Sequence, residues 1–195
     1  MLRMASAQLR QLVQAIHPLT DEEWADFSTL WHPFAAPRKT TLTVAGETEK
    51  YLYFVQEGTQ RVYYIDQDGR EATLVFSYPP SFGGVVDSFF IQQPASYYYE
   101  TLTPSLFLRL SFSDLQAIVA RRPAIETFIR LGLAQALSGV LERLVELQCY
   151  PSAIRFSRLL QRSPHMLQVV PHKYLANYIG VDPTNFSKLI NTIKG

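Results

Sequence analysis

Thr184, Asn185, Ser187, Lys188 and Asn191 fall within eight residues near the C-terminal end of the sequence. Short hydroxyl and amide side chains with one lysine are suited to base edges and phosphates in a DNA major groove. Between them Phe186, Leu189, Ile190 and Ile193 recur at i, i+3, i+4 and i+7. A helix would therefore bury the apolar set and keep the polar set wet.

What must position that helix lies just upstream. His172 to Ile179 is amphipathic, with Leu175, Ala176 and Ile179 on one face, and Gly180 stands where a chain leaving a helix needs a positive φ. Asp182-Pro183 supplies an N-cap and a first-turn proline. Small Ala176, Gly180 four on, Phe186 six further and Leu189 three beyond suit a helix-turn-helix. A helical hairpin with an ordinary solvated face would show the same pattern.

Charge is distributed to match. Net charge is +1 over 195 residues, but residues 150–195 carry six basic side chains against Asp182 alone, net +5, and residues 1–149 carry −4. The single cysteine, Cys149, excludes an internal disulfide, a cysteine-built metal site and an iron–sulfur cluster. No apolar run of about 18 residues suggests a membrane span, and M-L-R-M-A-S-A-Q-L-R lacks the apolar core of a secretion signal. The expected location is the cytoplasm.

Residues 6–17 and 21–31 read as short helices, the second opened by a Thr20–Glu23 capping box with Trp24, Phe27 and Trp31 inward. Pro33 and Pro37 end that region, with His17 and His32 at the surface or at helix ends. From Lys39 to Phe112 come short β-rich runs punctuated by Ala45-Gly46, Glu57-Gly58, Asp68-Gly69, Pro79-Pro80 and Thr103-Pro104. Asp68-Gly69 is the strongest hairpin signal. Such runs without intervening helices imply a sandwich or roll, broken at Ser81–Ser88 by a turn with a helical start. Ser113 would cap a helix to Arg121.

A long helix then spans Pro123 to Cys149. Leu133, Leu137, Val140, Leu144 and Leu147 form a two-heptad seam, with a second stripe at Ile129, Ala136, Leu141 and Val145. A buried intrachain helix would also fit. Tyr150-Pro151 is the expected hinge. After it, Ser152 would cap a helix carrying Ile154, Phe156, Leu159 and Leu160 inside and Arg155, Arg158 and Arg162 outside.

β-roll, long helix, hinge and basic helix-turn-helix in this order resemble the Crp/Fnr family of bacterial transcription regulators, over nearly the whole chain. The matching residues include Tyr53-x-Val-x-x-Gly58, Arg61-Val-Tyr-Tyr64, Asp68-Gly69-x-Glu71, the Gly84 turn and Arg155-Phe156. They continue through Pro164, Leu175-Ala-x-Tyr-Ile-Gly180 and Pro183-Thr-x-Phe-Ser-Lys188. The branch typical of Bacteroidetes looks most similar. The resemblance implies an α+β chain: an N-terminal double-stranded β-helix of the cyclic nucleotide-binding kind with flanking helices, a long dimerisation helix, and a winged-helix-like helix-turn-helix with a truncated wing. It divides as sensor 1–122, dimerisation helix 123–150 and DNA-binding part 151–195.

The family's phosphate-binding cassette resembles Gly-Glu-x-x-x…Arg-Ser/Thr-Ala. With Gly84 as its glycine, Val85 stands at the Glu, Ala95 at the Arg and Ser96 at the Ser/Thr; with Gly83, Gly84 and Pro94 replace the charged pair. Both charged ligands are absent in either alignment. Losing the bidentate Arg removes about 1.5–3 kcal/mol of phosphate binding, so cAMP binding in the family's manner is not expected. Ser96, Tyr97 and Tyr99 would serve another ligand or fill the core.

For DNA, the resemblance puts Pro183, Thr184 and Lys188 at base-reading positions, Asn185 and Ser187 beside them, and His172 and Lys173 near phosphates. The expected partners are double-stranded DNA, a second copy of the chain, RNA polymerase and an unidentified small-molecule effector, with no membrane, metal or cofactor. A metal-dependent enzyme on a similar roll would need a pair of histidines there, and none lies between His32 and His165. The remaining alternative is a sensor module whose degenerate helix-turn-helix no longer reads DNA.

Overall fold

A computed structural model of the chain describes the backbone of residues 2–194 and the side chains of residues 7–192. The side chains of Ile193, named above, and of Lys194, one of the six basic residues counted at this end, lie outside that range. Two helices, α1 (Leu2–Ile16) and α2 (Asp21–Ser28), precede eight strands: β1 (His32–Ala36), β2 (Thr41–Thr43), β3 (Tyr51–Glu57), β4 (Gln60–Ile65), β5 (Glu71–Ser77), β6 (Ser81–Gly83), β7 (Tyr98–Thr101) and β8 (Ser105–Ser111), with α3 (Val86–Ile91) between β6 and β7. Helices α4 (Phe112–Val119), α5 (Pro123–Cys149), α6 (Ser152–Arg162), α7 (Met166–Val169), α8 (His172–Tyr178) and α9 (Pro183–Lys194) complete the chain. The strands form two four-stranded sheets ordered β1-β8-β3-β6 and β2-β7-β4-β5, so the expected α+β roll is present.

The chain folds as two compact units. The first runs to Val62 and resumes over Phe76–Ala136; the second comprises Tyr63–Val75 and everything from Leu137 on. In the first unit, strand alternation divides two apolar clusters. Leu52 and Phe54 of β3 with Leu108 and Leu110 of β8 join Trp24, Phe27 and Trp31 beneath the helices. Tyr53, Val55 and Phe107 point the other way, into the roll, with Val85, Ala95 and Tyr99.

Several local expectations are corrected. β1 was not anticipated, because Pro33 and Pro37 read as breakers. It lies at a sheet edge, paired antiparallel to β8 alone, where a missing N–H costs little. The roll therefore does contain one imidazole, the exposed His32. α2 stops at Ser28, and its Thr20–Glu23 capping box is present. α4 is capped by Ser111, whose hydroxyl accepts from the Asp114 amide, and not by Ser113. Ser152 caps nothing: Pro151 holds the N-cap position of α6 without a side-chain bond. Ile154 is exposed, while Phe156 and Leu159 are buried.

α5 corrects the expectation that no stretch is long and apolar enough to span a membrane. Its mean hydropathy is 1.3 over an 18-residue window, with only 11% of that window buried. The sequence has no unbroken apolar run there; the helix qualifies because Glu126 and Arg130 precede, and Glu142 and Arg143 follow, its most apolar stretch.

Candidate functional site

Helices α8 and α9 meet at a corner whose backbone the sequence dictates. Gly180 has φ +66°, and Val181 N–H bonds Ala176 O while Gly180 N–H bonds Asn177 O, both at 3.0 Å. These are the two hydrogen bonds of a glycine-terminated helix end. Asp182 then accepts the Asn185 amide at 2.9 Å, with Pro183 first in the new helix. That amide, foremost, holds the Asp182 carboxyl below its ordinary value. Leu175, Ala176, Ile179 and Phe186 are buried, and the Phe186 ring meets Phe156 edge-on with centroids 5.3 Å apart.

Burying Phe186 turns the opposite face of α9 outward. Thr184, Ser187, Lys188 and Asn191 lie on it at i, i+3, i+4 and i+7, all exposed, with Asn185 exposed to one side. Ser187 Oγ bonds Pro183 O at 2.9 Å, and Asn185 Nδ2 bonds Asp182 Oδ2. Thr184, Lys188 and Asn191 keep their side chains free of hydrogen-bond or ion-pair partners among the described residues. His172 and Lys173 open α8 exposed; the imidazole lies 5.6 Å from the Phe186 ring, and Lys173 Nζ is 4.7 Å from Tyr174's.

The basic character of this end is only partly available. Glu146 of α5 is 1% exposed and receives Arg162 through two hydrogen bonds, 2.7 and 2.9 Å, and Arg158 at 3.4 Å. Burial pushes the Glu146 carboxyl up, but hydrogen bonds and charge from Arg162 and Arg158 together hold it below its usual range. Arg155 donates to Leu147 O at 3.0 Å and Gly180 O at 3.4 Å. Arg158 and Arg162 do lie on the outer side of α6, their side chains 38% and 42% exposed, but Glu146 takes up their charge. Glu146 carries no sequence signal for this, since its partners come 12 and 16 residues later.

The residues expected to form a seam lie exposed on α5. Leu133, Leu137, Val140, Leu144 and Leu147 are 37–58% exposed, as are Leu141 and Val145 of the second stripe. α5 is therefore not buried within the chain along its middle; Ile125 and Phe128 are buried in its first turns and Glu146 near its end.

In the roll, Val85, Ala95, Tyr97 and Tyr99 share one cluster with Tyr53; Gly84 makes the turn before α3 at φ +115°, and Ser96 is exposed. Tyr99 is fully buried, its hydroxyl 3.1 Å from Ser77 Oγ, within a polar network that includes Gln60 and Ser105. Glu49, absent from the sequence-based site, faces Gly84–Val85. It is 2% exposed and accepts from the amides of Val85 (3.2 Å), Lys50 (3.0 Å) and Tyr51 (3.2 Å) and from the Thr43 hydroxyl. Arg61, 2% exposed, is paired with Glu100 at 2.6 Å. Among the described residues no group of three or more His, Cys, Asp or Glu is placed to hold a metal ion.

Burial raises the Glu49 carboxyl above its ordinary value, against the pull of Thr43 and the amides. The folded chain thus holds that proton more tightly than the unfolded one. The associated stability is complete below the ordinary carboxylate pKa, about 4.3, and is lost as pH rises through the folded value. Glu49→Gln is expected to remove this fall from melting curves recorded upward from about pH 4; superimposable wild-type and variant profiles would refute it.

A cyclic nucleotide-binding domain model matches residues 34–122. The cAMP-activated global transcriptional regulator CRP of Haemophilus influenzae is 25% identical over 146 residues, covering 75% of this chain and 65% of that protein. Its Pasteurella multocida counterpart is 25% identical over 150 residues, 77% of this chain and 71% of the relative. The chain is therefore similar to Crp-type regulators and carries a cyclic nucleotide-binding domain over residues 34–122. It spans about two thirds of the length of these curated relatives. FixK2 from Bradyrhizobium japonicum has the same fold, with a TM-score of 0.75 over 84% of each chain at 15% identity.

Proposed function

We propose that the chain is a transcription regulator that binds a near-palindromic DNA operator as a homodimer, with residues 1–122 sensing, 123–150 pairing two copies and 151–195 contacting DNA. The observation that carries this is the free row Thr184, Lys188 and Asn191 on the outer face of α9, behind a well-capped corner. Two such helices reach successive major grooves when held one helical turn, about 34 Å, apart. The exposed α5 leucines supply the pairing surface. A paired α5 also hides the apolar helix from water without a membrane, in keeping with the cytoplasm and with relatives described as transcriptional regulators.

Unlike the cAMP-activated relatives, this chain is proposed not to respond to cAMP. Val85 and Ala95 replace the charged ligands, and the Glu49 carboxylate already uses the Val85 amide. Any effector would act by favouring one spacing of the recognition helices. RNA polymerase as a further partner, a Bacteroidetes-type ancestry and the absence of catalysis belong to the same proposal.

Selection from a random duplex library, followed by a salt titration, tests it. Lys188→Ala is expected to weaken binding and lower the log–log salt slope by about 0.9 for each half-site, about 1.8 for the dimer. An unchanged slope removes Lys188 from the interface. The sensor-only reading has one observation in its favour, the neutralisation of Arg158 and Arg162 by Glu146; salt-independent indifference to all duplexes would select it.

A further inference from the structure

Glu146 is a charge withdrawn from water in the second unit, and it belongs neither to the outer face of α9 nor to the leucine set. We infer that Glu146 is a positioning residue: by drawing Arg158 and Arg162 of α6 onto α5, it fixes the helix-turn-helix to the pairing helix, so that the chain from Leu137 onward carries α9 as one body. This rests on the DNA-binding reading above.

The contacts come from one short stretch of α5 and reach α6, α8 and the Gly180 corner. Arg143 stacks on Tyr178 of α8, 3.5 Å from guanidinium carbon to ring centroid. Glu146 takes Arg162 in a two-pronged contact and Arg158 beside it. The Leu147 carbonyl takes Arg155, which also reaches the Gly180 carbonyl. A Cβ on Gly180 would stand 3.3 Å from Leu147 Cδ2, so the corner rests directly on that side chain.

All these contacts bridge Tyr150-Pro151, the break that the sequence marks as a hinge. A two-pronged arginine–carboxylate pair fixes orientation as well as distance. Exclusion of water from the carboxylate strengthens it. A joint spanned in this way is held, and compact folding places Leu137–Cys149 with the DNA-binding part. Holding α9 in one orientation before DNA arrives removes an ordering cost from binding. Glu146 therefore acts on affinity from a distance, through Arg158 and Arg162.

The test uses the full chain with Glu146→Gln, Arg162→Gln and the double variant, read by amide hydrogen exchange and by titration of a selected operator duplex. Exchange is followed at Ile154 and Arg155, whose amides bond Pro151 O. Glu146→Gln is expected to speed exchange there at least tenfold and weaken operator binding at least tenfold. Its salt slope stays undiminished, in contrast to Lys188→Ala, because no phosphate contact is lost. Arg162→Gln moves both readouts the same way, and the double variant is no worse than Glu146→Gln, since both remove one interaction.

Wild-type exchange and affinity in Glu146→Gln, or additive effects in the double variant, overturn the inference. Should Glu146→Gln unfold the unit, Arg162→Gln alone decides: faster exchange at Ile154 and Arg155 supports the clamp, and unchanged exchange rejects it. Were the wild type to bind no duplex, the DNA-binding reading would fall. The exchange measurements would still judge the clamp.

Discussion

Leu137→Glu combined with Leu144→Glu is expected to convert the proposed homodimer to a monomer at micromolar concentration, with the circular dichroism of the parent. These side chains are 58% and 47% exposed in the single chain, so their replacement disturbs little within it. In a pair of α5 helices they would face their counterparts. Removing a leucine from water stabilises by about 1.5–3 kcal/mol, and the double variant removes four from each dimer. It also opposes like charges across the seam. A dissociation constant raised at least a thousandfold, about 4 kcal/mol, is the expected outcome in sedimentation equilibrium. Operator affinity falls with it, because each half-site must then bind alone. A variant that sediments as the wild type does would show that α5 is not the pairing surface.

Phe186→Ala is expected to split thermal unfolding in two and abolish duplex binding. Phe186 is fully buried against Phe156 and His172, and it is what turns Thr184, Lys188 and Asn191 outward. Losing a buried phenylalanine costs about 3–5 kcal/mol, a large share of the about 5–15 kcal/mol that holds a domain together. The first unit has its own core around Phe27, Phe54 and Phe128 and keeps its transition. Calorimetry should therefore show a new, lower-temperature peak beside an unmoved one. A single transition at the parental temperature would mean that Phe186 is not the anchor of the second helix.

The elements that could be read from the sequence share a physical origin. Gly180, Asp182-Pro183, Thr20–Glu23 and Asp68-Gly69 act on backbone groups no more than a few residues away, so their residue types alone specify the corner, the capping box and the hairpin. The α5 seam is equally local, since leucines at steps of four and three share a helix face wherever that helix lies. The outward set on α9 follows from Phe186 by the same periodicity. Those features were legible in order, type and face.

Tertiary structure decided the choices that depend on partners far along the chain. Pro33 sits in a strand because β8 pairs with one side of it and nothing pairs with the other. Ser111 rather than Ser113 caps α4 because β8 runs directly into the helix, ending at Ser111. Arg158 and Arg162 look solvent-facing on α6 until α5 brings Glu146 beneath them, and Glu49 is an ordinary acidic residue until Thr43 and the Val85 amide close around it. A sequence fixes which way a side chain leaves its own helix or strand through neighbours within about one turn. Whether that side chain meets water, a carboxylate or a carbonyl depends on packing between elements, where burial sets the energy of every charge.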